Sequence, residues 1–277
     1  MPISKEGRRA MPMDSTRKTI LVALGVCLVC SVLVSTAAVS LKSLQDRNRR
    51  LDKLRNILDA GNISYADADI QKLFNEKIEA DIIELQSGSI LPKKDYTDWL
   101  NPETFDIKAI AKNPQYNRRL PAGDDFAQLG QIPRYMVVYW VRDAGQIAKV
   151  ILPIYGKGLW STMYGFIALD SDWITVQGFT FYEHGETPGL GGEVDNPGWK
   201  RGWIGKRISD AAGKLKIEVI KNKVDPADPD AIHQIDGLSG ATITTRGVND
   251  LVRFWLGENG YGPLLERLRE GESPWAK

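Results

Sequence analysis

From Thr19 to Leu41 the chain runs 23 residues without a charge, between Lys18 and Lys42. A bilayer core is crossed by a helix of about 20 apolar residues. The run therefore predicts a transmembrane helix, and with it a chain that must satisfy two solvents. The competing reading is a cleaved signal peptide, suggested by the basic start and by Ser35, Thr36, Ala37 and Ala38. The run is longer than the apolar core of a signal, which favours an uncleaved anchor. Lys5, Arg8, Arg9, Arg17 and Lys18 precede it, and Lys42, Arg47, Arg49, Arg50, Lys53 and Arg55 follow it. Positive charge on both flanks leaves the orientation open. Cys27 and Cys30 lie inside the span at i and i+3, on one helix face. Hydrocarbon does not activate a thiol, so they read as small packing residues; half of an intersubunit metal site is the alternative.

Beyond the span, residues 43–60 continue a helical pattern, with Leu44, Leu51, Leu54 and Leu58 near heptad spacing and Gly61 as a C-cap. A second helix is expected from Asp69 to Gln86, with Ile70, Leu73, Phe74, Ile82 and Leu85 on one side. Residues 87–131 are rich in Gly, Pro, Asn and Asp and read mostly as loop. Strands are expected at 134–142, 146–154, 162–170 and 173–182, rich in Val, Ile, Tyr, Phe and Trp, and again at 214–222. Connections this short require an antiparallel meander, because a parallel crossover takes a dozen or more residues. Helices near 246–257 and 262–270 close the chain. The fold class is α+β: a single N-terminal transmembrane helix, then a mixed, largely antiparallel sheet domain with flanking helices.

Composition narrows the chemistry. Lys and Arg total 36 against 35 Asp and Glu, a net charge of +1, which leaves no electrostatic footprint for nucleic acid. Two cysteines and two histidines cannot build a four-cysteine zinc site or a three-histidine centre. No catalytic or metal constellation emerges. Two segments remain. The first is His184-Gly185-Glu186-Thr187-Pro188-Gly189-Leu190-Gly191-Gly192-Glu193, whose glycines let backbone approach a flat ligand. It is not a dinucleotide fingerprint, since Val194 occupies the last position, and a plain structural turn is its bland reading. The second is Asp236-Gly237-Leu238-Ser239-Gly240-Ala241-Thr242-Ile243-Thr244-Thr245, ahead of a helical pattern with Val248, Leu251, Val252, Trp255 and Leu256. Small and hydroxyl residues at a helix start suit an anion; a Ser/Thr N-cap without ligand explains them equally. The near match to a G-x-S-x-G elbow ends in Ala241, and His233 and Asp236 stand too close together for that fold's triad order.

The string Asp236-x-x-Ser239-Gly240-Ala241-Thr242 resembles the flavinylation motif of the FMN-binding domain family. The resemblance extends to Tyr155-Gly156-Lys157-Gly158-Leu159-Trp160 and Glu186-Thr187-Pro188-Gly189-Leu190-Gly191, in this order behind one anchor. It implies that a flavin transferase joins FMN through its phosphate to Thr242. Asp236, Ser239, Gly240 and Ala241 would form the recognition loop and then hold the phosphate, with the helix start near Thr244 stabilising its charge. Glu186, Thr187, Leu190 and Gly191 would lie against the isoalloxazine or ribityl chain, with Lys157 and Trp160 as looser candidates for the pocket wall. His184 would contact the flavin or make a structural hydrogen bond. The resemblance further implies a station in an electron relay of a bacterial inner-membrane complex. NADH and quinone sites would sit on other subunits of that NADH:quinone oxidoreductase complex, and electron flow would be coupled to Na+ export. It places residues 1–18 in the cytoplasm, 19–41 in the membrane among lipid, 42–131 as a juxtamembrane region, and 132–277 as a periplasmic FMN-binding domain. The alternatives are the corresponding subunit of a ferredoxin:NAD+ oxidoreductase and an anchored binding module without redox activity.

Overall fold

A computed structural model of the chain describes residues 16–66 and 68–272. The described residues fall into two units, one ending at Arg50 and one beginning at Leu51. In the first unit everything is helix α1 (Thr16–Ala60), and every residue from Thr16 to Arg50 is exposed, Leu21, Leu28 and Leu33 included. An apolar surface of that length, with no protein against it, has the length and composition to cross a membrane. The expected 43–60 helix is the continuation of this same element.

The second unit begins with the last turns of α1, where Leu54, Ile57, Leu58 and Ala60 are buried. Gly61 follows the last helical residue at the C-cap position expected from sequence and donates to the Ile57 carbonyl; the left-handed residue after it is Asn62, at φ 54°, with Asn62 and Ile63 donating back to the Asp59 and Leu58 carbonyls. Helix α2 (Ile70–Lys77) is capped by Asp69, whose carboxylate accepts from the Gln71 and Lys72 amides. It is shorter than the Asp69–Gln86 helix expected from sequence. The chain turns into strand β1 (Ile78–Glu84), which pairs along its whole length with β5 (Tyr135–Asp143). Ile78, Ile82 and Ile83 fit a pleated, buried surface, and pairing with β5 overrides the helical stripe. Asp81 is buried within β1, where its carboxylate accepts from the Trp140 indole at 3.1 Å and the Tyr96 hydroxyl at 3.3 Å.

Residues 87–131 are mostly loop, as expected, with short pieces only. These are β2 (Ser89–Ile90), a 3-10 turn (Lys93–Asp95), α3 (Ile107–Lys112), β3 (Asn117–Arg119) and β4 (Gln131–Pro133), which pairs with β3. Then comes the meander: β5, β6 (Gln146–Lys157), β7 (Thr162–Asp170) and β8 (Val176–Glu183). With β2 and β1 at one side, the sheet order is β2-β1-β5-β6-β7-β8, antiparallel throughout. The juxtamembrane stretch thus contributes strands to the same sheet as the meander. Helix α4 (Pro197–Arg201) follows. The strand expected at 214–222 contracts to β9 (Glu218–Val219), which pairs in parallel with β10 (Gln234–Ile235) over only two residues.

Helix α5 (Thr242–Leu256) buries Val248, Leu251, Val252 and Trp255, and α6 (Gly262–Arg269) closes the described chain. α5 starts earlier than the pattern from 246 suggested, so Thr242 opens the helix. It lies across β6 at close range. A Cβ on Gly156 would collide with Leu251, and one on Gly247 would collide with the Lys157 carbonyl. The Trp255 indole donates to the Tyr155 carbonyl at 2.6 Å, and the Tyr261 hydroxyl to that of Pro153 at 2.7 Å. These contacts fix the start of α5 beside the end of β6.

Candidate functional site

Three segments distant in sequence meet where α5 begins: the β6–β7 loop at 158–161, the segment 184–191 after β8, and the loop 236–241. The carboxylate of Glu186 joins the first two to the helix. Its residue is buried, and it accepts from the amides of Leu159 (3.1 Å), Trp160 (3.0 Å) and Ser161 (3.4 Å) and from the hydroxyl of Thr244 (2.6 Å). Burial pushes its pKa upward, but the Thr244 hydroxyl and the Trp160, Leu159 and Ser161 amides outweigh burial and hold it below the ordinary carboxylate range. Glycines flank the carboxylate because nothing larger fits: a Cβ on Gly191 would stand 2.5 Å from the Thr244 hydroxyl and 2.9 Å from Glu186 Oε2. Gly158 is equally close to Oε1. Glu186 thus faces inward, toward Thr244.

The neighbouring His184 is also committed to structure. Its Nδ1 accepts from the Glu186 amide at 3.2 Å, which leaves Nε2 as donor to Asp195 at 2.7 Å. Lys200 completes the cluster, pairing with Asp195 at 3.2 Å and donating to the Thr180 hydroxyl at 3.0 Å. Of the two roles open to His184 from sequence, the structural one is what its partners display.

The 236–241 loop is held by its own side chains. Asp236 accepts from the Val224 amide at 2.7 Å, while its carbonyl accepts from the Trp199 indole at 2.8 Å. The Thr245 hydroxyl accepts from the Leu238 amide at 3.0 Å. Gly237 presses on the backbone of Ile220 and Lys221, and Gly240 turns at φ 72°. The N-cap of α5 is Ala241, which offers no side-chain acceptor. This corrects the bland Ser/Thr-cap reading: no hydroxyl caps the helix, and its first amides have no side-chain acceptor.

Thr242 is exposed at this start, as are Ser239 and Gly240, whereas Ala241 and Thr244 are buried. On the segments that meet at this start the fold leaves large apolar side chains in solvent. Trp160 is 69% exposed and Ile243 59%, and Leu159 and Leu190 are exposed beside them. Leu190 touches the position a Gly240 Cβ would take, at 3.2 Å. Thr187 is exposed, with its carbonyl accepting from Leu190 and Gly192; Lys157 is exposed at the end of β6. The structure therefore gathers every site residue expected from sequence around one helix start, but divides them. Asp236, Glu186, Gly191, Thr244 and the buried N-cap residue Ala241 build the support, and Thr242, Ser239, Gly240, Thr187, Leu190, Lys157 and Trp160 are exposed. Sequence reading missed Leu159, Ile243 and Thr245. The exposed apolar Ile243, between two threonines on an amphipathic helix, is a signal that could have been read.

The segments that meet at this helix start lie within a domain of a known family. Residues 158–257, from the β6–β7 loop to the end of α5, match the FMN-binding domain family. The chain is 48% identical over 263 residues to the C subunit of the Na(+)-translocating NADH-quinone reductase of Pseudomonas aeruginosa, covering 94% of this chain and 98% of that protein. It is 47% identical to the protein of the same name from Yersinia pestis, over 93% of this chain and 95% of that protein. Among solved structures it is similar to Shewanella oneidensis NqrC, with a TM-score of 0.72 and 32% identity over 80% of this chain and 99% of that one.

Proposed function

The chain belongs to the NqrC family, the C subunits of the Na(+)-translocating NADH-quinone reductases, and from that premise we propose that it carries FMN covalently on Thr242. As part of a membrane NADH:quinone oxidoreductase complex it relays electrons from NADH toward quinone, coupled to Na+ export. The residues present fit the group. The Thr242 hydroxyl is exposed, the helix start beside it has no side-chain cap, and Gly240 keeps the adjoining loop open. A phosphoester on Thr242 keeps a negative oxygen, which the positive end of α5 stabilises.

When bound, FMN supplies the electron chemistry. The chain's part is to bind, orient and shield. Leu159, Trp160, Leu190 and Ile243 offer apolar surface for the ring system, and covering them removes them from water. Thr187 and Lys157 supply polar groups at the edge. Ser239, Gly240 and Ala241 bring backbone close to the phosphate. Glu186 does not reach outward: it locks the 158–161 loop to Thr244, so that the two walls of the seat cannot drift apart.

In this reading residues 19–41 of α1 are the single membrane anchor, residues 1–18 are cytoplasmic, residues 42–131 form the juxtamembrane region that lends β1 and β2 to the sheet, and the FMN-binding domain from 132 onward faces the periplasm with them. The partners are the other subunits of the complex, membrane lipid, and a flavin transferase that attaches the cofactor. The chain alone is not a complete catalyst.

The observation that carries the reading is the exposed Thr242 at a helix start without a side-chain cap, where segments bearing the exposed Leu159, Trp160 and Leu190 meet. The test compares wild type with Thr242→Ala, each coexpressed with a flavin transferase, by gel fluorescence after denaturation and by intact mass. Wild type is expected to keep a fluorescent band and a mass increase of one flavin phosphoryl group, and the variant to lose both. A colourless wild type with an active transferase would sink the reading.

A further inference from the structure

The two ring nitrogens of His184 meet partners that favour opposite charge states. Nδ1 accepts from the Glu186 amide at 3.2 Å, and Nε2 donates to Asp195 at 2.7 Å. An imidazole nitrogen that accepts carries no proton, so the ring in this arrangement is neutral with its hydrogen on Nε2. A second proton goes to Nδ1. It sets N–H against N–H and leaves the Glu186 amide without its acceptor. The Asp195 carboxylate pulls the other way, since a negative group this close favours the charged ring. Lys200 of α4 moderates that pull by pairing with the other Asp195 oxygen at 3.2 Å. The remaining charged groups on the neighbouring segments are engaged elsewhere. The Glu186 carboxylate is turned to the 159–161 amides and Thr244, Glu193 accepts from the Asn196 side chain, and Glu183 pairs with Lys108. The His184 side chain is 14% exposed, so solvent protons reach it.

The bond at Nδ1 has consequences for the seat. His184 closes a turn over Gly185 with its own side chain, as Asp and Asn do in Asx turns. Within that turn the Gly185 amide donates to the Ser161 hydroxyl at 2.6 Å, and Glu186 then reaches the 159–161 amides and Thr244. Thr187 and Leu190, on the wall of the seat, follow directly. The ring of His184 therefore sets how the chain enters that wall. The other histidine makes a contrast. His233 Nδ1 lies 2.7 Å from the Arg207 carbonyl and donates to it, a bond that survives in either charge state.

We propose that His184 is a positioning residue of the flavin seat that works through its own proton. Neutral, it holds the Glu186 amide and keeps the 184–191 wall against the β6–β7 loop. Protonated from solvent at Nδ1, it releases that amide and loosens the wall. The proposal rests on the flavin reading above and deepens it, since it makes the surroundings of the bound flavin depend on pH.

The full chain, matured with a flavin transferase and purified in detergent, tests it. With nitrogen-labelled histidine it presents only two imidazoles to NMR. At about pH 8, His184 is expected as the tautomer with its hydrogen on Nε2. Between about pH 5 and 8, where histidines ordinarily change charge, flavin fluorescence is expected to follow the His184 signal through one single-proton transition. These wild-type measurements need no variant. His184→Asn places an amide oxygen where Nδ1 stood and cannot titrate, so the transition should be lost with the flavin in its high-pH form. His184→Gln reaches toward Asp195 without an acceptor at the Nδ1 position, and should be lost in the low-pH form. Asp195→Asn should move the transition to lower pH, because the ring loses its negative partner. Equal thermal midpoints at about pH 8 check that His184→Asn and Asp195→Asn fold. Hydrogen on Nδ1 at about pH 8, or a flavin transition that persists in His184→Asn, overturns the proposal. Wild type without covalent flavin by intact mass sinks the flavin reading instead; covalent flavin whose fluorescence ignores the titration of His184 sinks the positioning role alone.

Discussion

At the residue scale, Glu186 decides whether the site holds its shape. Its carboxylate accepts four donors from two other segments while buried, and hydrogen bonds to a charged group contribute about 1.5–3 kcal/mol each at most. Glu186→Gln keeps the volume but turns a donor toward donors. It should lower unfolding stability by about 2 kcal/mol near pH 7, measured by urea titration. The pH dependence has a definite sign. The folded-state pKa of Glu186 is depressed, so its contribution is present above the unfolded value of about 4.3 and is lost as pH falls through the lower folded value. The gap between wild type and Glu186→Gln should therefore close on acidification below about pH 4; a gap constant down to pH 3 would contradict this account. The importance of Glu186 was legible in the sequence, but its role was not. The segment around it reads as a glycine-rich ligand loop, and its partners lie 25 to 58 residues away, where no local pattern points. The role proposed for Thr242, in contrast, comes from its motif alone.

At the element scale, the approach of α5 to β6 positions the helix start. Gly247 sits within the helix, where alanine is intrinsically better by about 1 kcal/mol. The Lys157 carbonyl occupies the space an added methyl needs, and overpacking costs about 1–3 kcal/mol. Gly247→Ala should therefore be net destabilising by roughly 1 kcal/mol and should reduce flavin loading as the helix start is pushed off the β6–β7 loop. A stabilised, fully loaded variant would show that α5 can shift without harm. The meander from β5 to β8 was legible because β-branched and aromatic runs, with short connections, leave few alternatives. Strand β1 was not. Ile70, Leu73 and Phe74 belong to a helix while Ile82 and Leu85 belong to the strand and its continuation, and together they mimic one helical stripe. Pairing with β5, more than fifty residues on, breaks the tie. The expected 214–222 strand shrank for the opposite reason: its partner β10 is only two residues long.

At the scale of the whole molecule, the boundary between the two units falls within one helix. Removing the chain before Leu51 leaves the buried Leu54, Ile57, Leu58 and Ala60 in place, and this fragment should be water-soluble with a cooperative melt. Removing it through Ala60 strips three fully buried side chains, of which the larger two, Ile57 and Leu58, contribute about 1.5–3 kcal/mol each. The shorter fragment should melt well below the longer one; identical melting curves would mean that these turns carry no part of the core. The uncharged run precedes every strand among the described residues, and synthesis follows that order. The anchor can meet the bilayer while the sheet does not yet exist, and the walls of the flavin seat are complete only when Gly247 has emerged. That is roughly 200 residues later, about 10–40 s at cellular synthesis rates. The ribosome thus writes the address before the contents, and the sheet has to fold as a tethered body.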